Sequence, residues 1–161
     1  MEFHPVANIF PMMSAEEFNA LTADIQEHGQ LEPVWTYQGK IIDGRNRYQA
    51  CHVVGVEPRY REWSGKGNLV AFVVSLNLKR RHLNESQRAM VAAKLANMPH
   101  GGDRRSNQVV NSQFEIVTQT EAAELLNVSE WTVNKAAKVK ESAPELVQAV
   151  ESGKVSVSAN P

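Results

Sequence analysis

The residues of this 161-residue chain whose types and spacing could do chemistry fall in three places. The first is Asp43-Gly44-Arg45-Asn46-Arg47, directly after the apolar pair Ile41-Ile42. A glycine where a strand gives way to a helix leaves backbone amides exposed at the helix's positive end. Two guanidinium groups, Arg45 and Arg47, flank Asn46 in that first turn. Together they favour a polyanion, either a nucleotide triphosphate or a DNA phosphate. The plainer alternative is an arginine paired with Asp43 or Glu32 at a tight turn, and the residues alone favour neither.

The second place is Asn77-Leu78-Lys79-Arg80-Arg81-His82, a basic run joining two helical segments. Such a run is commonly a solvated surface, but at a domain junction it could complete the phosphate site or touch DNA.

The third is Gln119 to Val133, which has the marks of a helix-turn-helix. Two helices crossing at a sharp angle need a small residue where they touch, and Ala123 supplies it. The turn needs a residue that tolerates positive φ, and Asn127 is the best choice after glycine. Val128 and Val133 plug the angle, while Ser129 caps the second helix. With Val133, Ala136 and Ala137 facing inward, Ser129, Glu130, Trp131, Asn134, Lys135 and Lys138 are left for DNA. Asparagine suits bidentate contact with adenine, lysine suits phosphate, and Glu130 could accept from a cytosine amine. Trp131 has a second possible place, in the core. A plain helical hairpin with a solvated face is the competing reading of the whole stretch.

Other chemistry is poorly served. The five histidines, His4, His28, His52, His82 and His100, are scattered and form no metal motif. Asp43, Glu32 and Glu62 share no recognisable ligand spacing. The single cysteine, Cys51, cannot form an internal disulfide, which suits a reducing, cytoplasmic setting. The N-terminus lacks the basic start and apolar stretch of a secretory signal, and no apolar run approaches the ~20 residues of a bilayer span.

The elements that must position these groups can be read from the pattern. Val6 to Ile9 predicts an edge strand. Ser14-Ala15-Glu16-Glu17 is a capping box opening a helix through Phe18, Leu21 and Ile25, with Gly29 as its left-handed cap. Pro33 to Tyr37 and Ile41-Ile42 read as hairpin strands about Gln38-Gly39-Lys40. A helix then runs from Gly44 to Gly55, and Pro58 to Trp63 is extended. From Asn68 onward the pattern is helical: Leu69, Phe72, Val73 and Leu76 mark one helix, and a second capping box at Asn84–Gln87 opens another, to about Met98. Residues 99–116 read as a linker or loop. Three more helices follow, the third introduced by Pro144 and stopped by Gly153.

Charge is unevenly distributed along the chain. Residues 1–78 carry 6 Lys/Arg against 9 Asp/Glu, residues 79–140 carry 10 against 6, and residues 141–161 carry 1 against 3. The net of −1 therefore hides a basic middle, as either a local nucleic-acid footprint or ordinary fluctuation in surface charge would leave, and charge alone does not favour the footprint. With 42% hydrophobic and 22% charged residues the composition is globular, neither disordered nor membrane-like.

These segments, in this order, resemble the ParB family of chromosome and plasmid partition proteins. Residues 25–34 are similar to that family's "I.EHG.LQPI" segment, and Gly44-Arg45-Asn46-Arg47-Tyr48-Gln49-Ala50 to its "GERRYRA" box. Leu76-Asn77-Leu78-Lys79-Arg80 resembles "ENIQR", and residues 151–156 resemble "REGKLS". The Asp43–Arg47 run is nearer the "DGRxR" form of phage, plasmid and genomic-island relatives. The resemblance implies an α+β fold: a small mixed-sheet, ParB/sulfiredoxin-like domain over residues 1–66, followed by an all-α helix-turn-helix domain over 117–161. Residues 67–98 would be a helical part completing the nucleotide site. It further implies CTP and Mg2+ as ligands, double-stranded DNA as partner, and a homodimer. Gly44, Arg45, Asn46 and Arg47, with Asn77 and Arg80, would hold the nucleotide, and Asn77 the metal. Leu76 stands where the family has a magnesium-ligating glutamate, and leucine cannot ligate a hard cation, so the resemblance carries CTP binding further than CTP hydrolysis. The family's C-terminal dimerisation domain has no counterpart, as expected of a truncated or short accessory relative. Sulfiredoxin itself is excluded, because Arg45 stands where its nucleophilic cysteine would be. A ParB-like nuclease and a protein-interaction module without nucleotide binding are the alternatives to DNA partition or transcription regulation.

Overall fold

The structure is a computed structural model that describes residues 1–80, 82–98 and 117–158, apart from the side chain of Arg80. The expected linker at 99–116 lies outside the described residues. The fold is mixed α and β, in two units, the first over Met1–Lys66 and the second from Gly67 onward. Among the described residues, no helix is long and apolar enough to cross a membrane.

The first unit is built on a three-stranded sheet. Strands β1 (Val34–Tyr37) and β2 (Lys40–Asp43) form an antiparallel hairpin. Its two-residue turn places both Gln38 (φ 49°) and Gly39 (φ 73°) at positive φ, the backbone twist that tight hairpins prefer. Strand β3 (Tyr60–Glu62) adds in parallel beside β1, giving the order β2-β1-β3. A parallel neighbour requires a crossover, and helix α2 (Arg45–Val54) provides it.

Helix α1 (Ala15–His28) begins at the expected capping box, where the Ser14 hydroxyl accepts from the Glu17 amide and the Glu17 carboxylate accepts from the Ser14 amide. Gly29 ends it at φ 75° but ψ 179°, so the backbone leaves extended and not as a left-handed helical cap. Ile25 of α1 packs on Ala50 and Cys51 of α2, with Phe18, Leu21 and Val54 around them. The Cys51 thiol is buried, and burial pushes its pKa up, which keeps it protonated and inert.

The edge strand expected at Val6–Ile9 is instead a 3-10 helix over Pro5–Ile9. Proline at its first position presets φ, and the His4 ring accepts from the Val6 amide at 3.2 Å, satisfying an amide that a strand would have paired. Extended pairing survives three residues earlier, where Phe3 bridges Ile41 in parallel.

In the second unit, α3 (Leu69–Arg80) and α4 (Glu85–Ala96) precede α5 (Gln119–Leu126), α6 (Glu130–Ser142) and a 3-10 turn at Pro144–Leu146 that runs into α7 (Val147–Glu151). Helix α4 is the hub, packing on α5, α6 and α7. Ala89, Ala92 and Ala93 are fully or almost fully buried, and their small side chains let the neighbouring backbones approach. The end of α7 and the segment after it are tied back to α4: Gln87 donates to the Glu151 carbonyl at 2.8 Å, the Val157 amide donates to Ser86 at 3.2 Å, and Lys94 pairs with the Glu151 carboxylate. Residues 67–98 thus form one body with the helix-turn-helix.

His4 makes the first unit acid-sensitive. Burial, and secondarily the charge of Lys40, hold its pKa below the usual value of 6.5. Above that value the ring is neutral whether the chain is folded or not. As pH falls through it the unfolded chain takes up the proton first, so stability is lost until the folded pKa is passed. Urea titrations of wild type should show a midpoint that drops as pH falls below about 6.5, and His4→Asn, which can still cap Pro5–Ile9, should flatten that drop.

Candidate nucleic-acid interface and anion-binding turn

Helix α5 starts at Thr118, whose hydroxyl accepts from the Glu121 amide while the Glu121 carboxylate accepts from the Thr118 amide at 2.7 Å. Those Thr118 hydrogen bonds hold the Glu121 carboxyl below its ordinary range. This cap was legible as a Thr-x-x-Glu spacing, but attention to Gln119 as the start of the motif passes over it.

The turn is closed as expected. Asn127 sits in the left-handed region (φ 51°, ψ 57°) and its amide reaches the Ala123 and Glu124 carbonyls, while the Val128 amide donates to Ala123 at 3.0 Å. Ala123 is buried at the crossing, and Val133 and Ala136 of α6 are fully buried behind it. Arg88 of α4 also holds the turn, donating to the Asn127 carbonyl at 3.4 Å and to Leu83 at 3.0 Å. Nothing in the local pattern marks Arg88, because its partners are 39 residues and 5 residues away.

Ser129 caps α6, accepting from the Thr132 amide at 3.1 Å. Its hydroxyl also lies 2.7 Å from that of Thr132, which in turn donates to Glu85 of α4 at 3.0 Å. Ser129 is therefore exposed and at the same time tied into the cap of α6. Glu130, Trp131, Asn134 and Lys138 are exposed, and Lys135 is half-buried. Trp131 stands 61% exposed, away from the core, with the Lys135 ammonium 4.0 Å from its ring centroid. One face of α6 thus presents an amide, two amines and an indole, with one carboxylate at its start.

The candidate anion-binding turn lies in the first unit. Gly44 is left-handed (φ 95°, ψ 26°), where any other residue would be strained. A Cβ there would also come within 3.0 Å of the Arg47 guanidinium and 3.3 Å of the Val34 Cα. As a glycine, Gly44 offers no side-chain cap to the first amides of α2. The helices α1, α3, α4, α5 and α6 all have a serine, threonine or asparagine oxygen there.

The side chains around that turn are bonded inward. Arg47 donates to the Pro33 carbonyl at 3.0 Å and to Asp43 at 3.2 Å, and both partners of that ion pair are largely buried. This is the arginine–Asp43 pairing of the tight-turn alternative. Arg45 donates to Asn8 at 2.9 Å and to the Phe10 carbonyl at 2.5 Å, and buried Asn46 accepts from the Met13 amide at 3.4 Å. Asn77, the expected metal ligand, is buried in the second unit and donates to the Val73 carbonyl of its own helix at 3.0 Å. Among the described residues, no three His, Cys, Asp or Glu side chains gather where a metal ion could sit. The backbone of Arg80 ends α3, and Arg81 lies outside the described residues.

No protein-family model matches this chain, and no curated protein sequence matches it.

Two substitutions separate backbone conformation from side-chain chemistry. Asn127→Val, a β-branched residue at positive φ, should destabilise the second unit by about 1–2 kcal/mol in urea unfolding, whereas Asn127→Gly should cost little. Gly44→Ala should lower the stability of the first unit by about 1–3 kcal/mol, through strain at a left-handed position that the Arg47 contact tightens.

Proposed function

We propose that this protein binds double-stranded DNA through α6, in the service of DNA partition or transcription regulation, with an N-terminal unit that binds a nucleotide. One observation carries the DNA reading. A helix-turn-helix closed by left-handed Asn127 holds α6 on α4 and leaves Asn134, Lys138 and Trp131 standing in solvent. The second helix of such a motif enters the major groove, with its early residues at base edges and its lysines at phosphates. Asn134 would read adenine and Lys138 would neutralise phosphate. Readers of this kind recognise palindromes as dimers, so two copies per site are part of the proposal, as is a cytoplasmic setting.

The nucleotide half rests on the ParB resemblance together with the uncapped start of α2 behind Gly44. CTP, with Mg2+, is the nucleotide the resemblance points to. The α2 amides would hold a phosphate, and Arg45 and Arg47 would keep the turn in shape. When bound, the nucleotide would supply negative charge at that turn; hydrolysis is not part of the proposal.

Gel retardation of mixed-sequence duplex DNA across a salt series tests the DNA reading. Wild type should retard DNA at low salt and release it steeply as salt rises, and Lys138→Ala should shallow the log–log slope by about 0.9 for the one phosphate lost. Absence of retardation at low salt would leave a protein-interaction module as the better account. Calorimetry with CTP, ATP and GTP in Mg2+ tests the other half: selective uptake of CTP supports it, and heat from none of them removes it.

A further inference from the structure

We infer that Trp131 reads thymine, by contact with its 5-methyl group in the major groove, and that Lys135 is the positioning residue that holds the indole there. The inference rests on α6 being the DNA-reading helix.

Three observations meet at this side chain. Trp131 is 61% exposed, while Trp63 is 8% exposed and packs edge-on against Tyr37. An indole left in water forgoes the largest apolar burial a side chain can make, although its neighbours Thr132 and Val133 are turned inward. Lys135, one helical turn on, stands over the ring at 4.0 Å. That cation–π contact restricts the ring's rotamers and sets a positive charge beside it, which suits a surface facing DNA. Finally, Trp131 is the second residue of α6, in the part of a recognition helix that comes nearest the bases.

The chemistry of the groove then selects the base. Its floor is made of hydrogen-bond donors and acceptors, with one apolar exception, the C5-methyl group of thymine. Next to that methyl lies the O4 acceptor. An indole has an apolar body and a single N–H donor, so it matches a methyl beside an acceptor. Cytosine sets an amine donor at the same place, which would face both the indole N–H and the Lys135 ammonium, donor against donor. Thymine is the base edge that this pair of side chains complements.

The test begins with selection of a binding site from a randomised duplex pool by the wild-type protein. Each thymine of the enriched site is then replaced singly by deoxyuridine, which removes the methyl and nothing else. The expected result is one position per half-site at which wild type loses about fourfold in affinity, the worth of one buried methyl group. Trp131→Ala should show no difference between thymine and deoxyuridine there, and Lys135→Met should show a reduced one. Circular dichroism of both variants guards against misfolding, and both side chains lie outside the core. Indifference of wild type to deoxyuridine at every position overturns the inference, as does a loss that persists in Trp131→Ala. A pool that is retarded in a salt-dependent way but yields no enriched site also overturns it and leaves DNA binding standing, whereas a pool that is not retarded at all removes both.

Discussion

The close approach of helix α4 to three other helices is the constraint from which the second unit follows. Helix α4 packs on α5, α6 and α7, and Ala89, Met90, Val91, Ala92, Ala93 and Leu95 along it are all buried, three of them with side chains no larger than a methyl group. A larger residue at any of the three alanines would push a neighbour outward and open the angle between α5 and α6. Polar ties then fix what apolar packing brings near. Glu85 accepts from Thr132 on α6, Arg88 holds the Asn127 carbonyl at the turn, and Gln87 and Lys94 hold Glu151 at the end of α7. Each partner is far away in sequence, so the proposed reading helix is oriented by α4 as much as by its own turn.

The first unit has a comparable tie, made by polar groups in place of small ones. Buried Gln30 donates to the Glu32 and Arg59 carbonyls at 2.8 and 3.0 Å, and accepts from the Arg59 amide at 2.6 Å. The Arg59 guanidinium returns hydrogen bonds to the Gln30 and Leu31 carbonyls. Together they fasten the segment before β1 to the segment before β3, which sets the parallel register of Val34 on Tyr60. A buried amide that spends its donors and acceptor in this way costs little to desolvate and specifies one pairing.

Both candidate sites show the same division of labour between scaffold and contact. At the candidate anion-binding turn, the Arg45, Asn46 and Arg47 side chains are bonded to Asn8, Phe10, Met13, Pro33 and Asp43. At α6, the exposed Ser129 is held by its cap bonds and Thr132 turns inward to Glu85, while Trp131, Asn134 and Lys138 stand outward. Residues that composition would mark as binding groups are in several cases the ones that hold the binding surface in place.

Local pattern was enough for much of this. The capping boxes at Ser14 and Asn84, the hairpin about Gln38-Gly39, the left-handed Asn127 and the glycine at the start of α2 all involve groups within four residues of each other, where backbone geometry decides. Val6–Ile9 misled because apolar residues in a row suit a strand or a short helix equally, and the deciding hydrogen bond came from His4 just outside the run. Whether Arg47 turns to a ligand or to Asp43 and Pro33, whether Trp131 is core or surface, and that residues 67–98 pack with the helix-turn-helix were all open to sequence reading. Those outcomes depend on which distant groups lie within 3 to 4 Å, and only the folded chain brings them there.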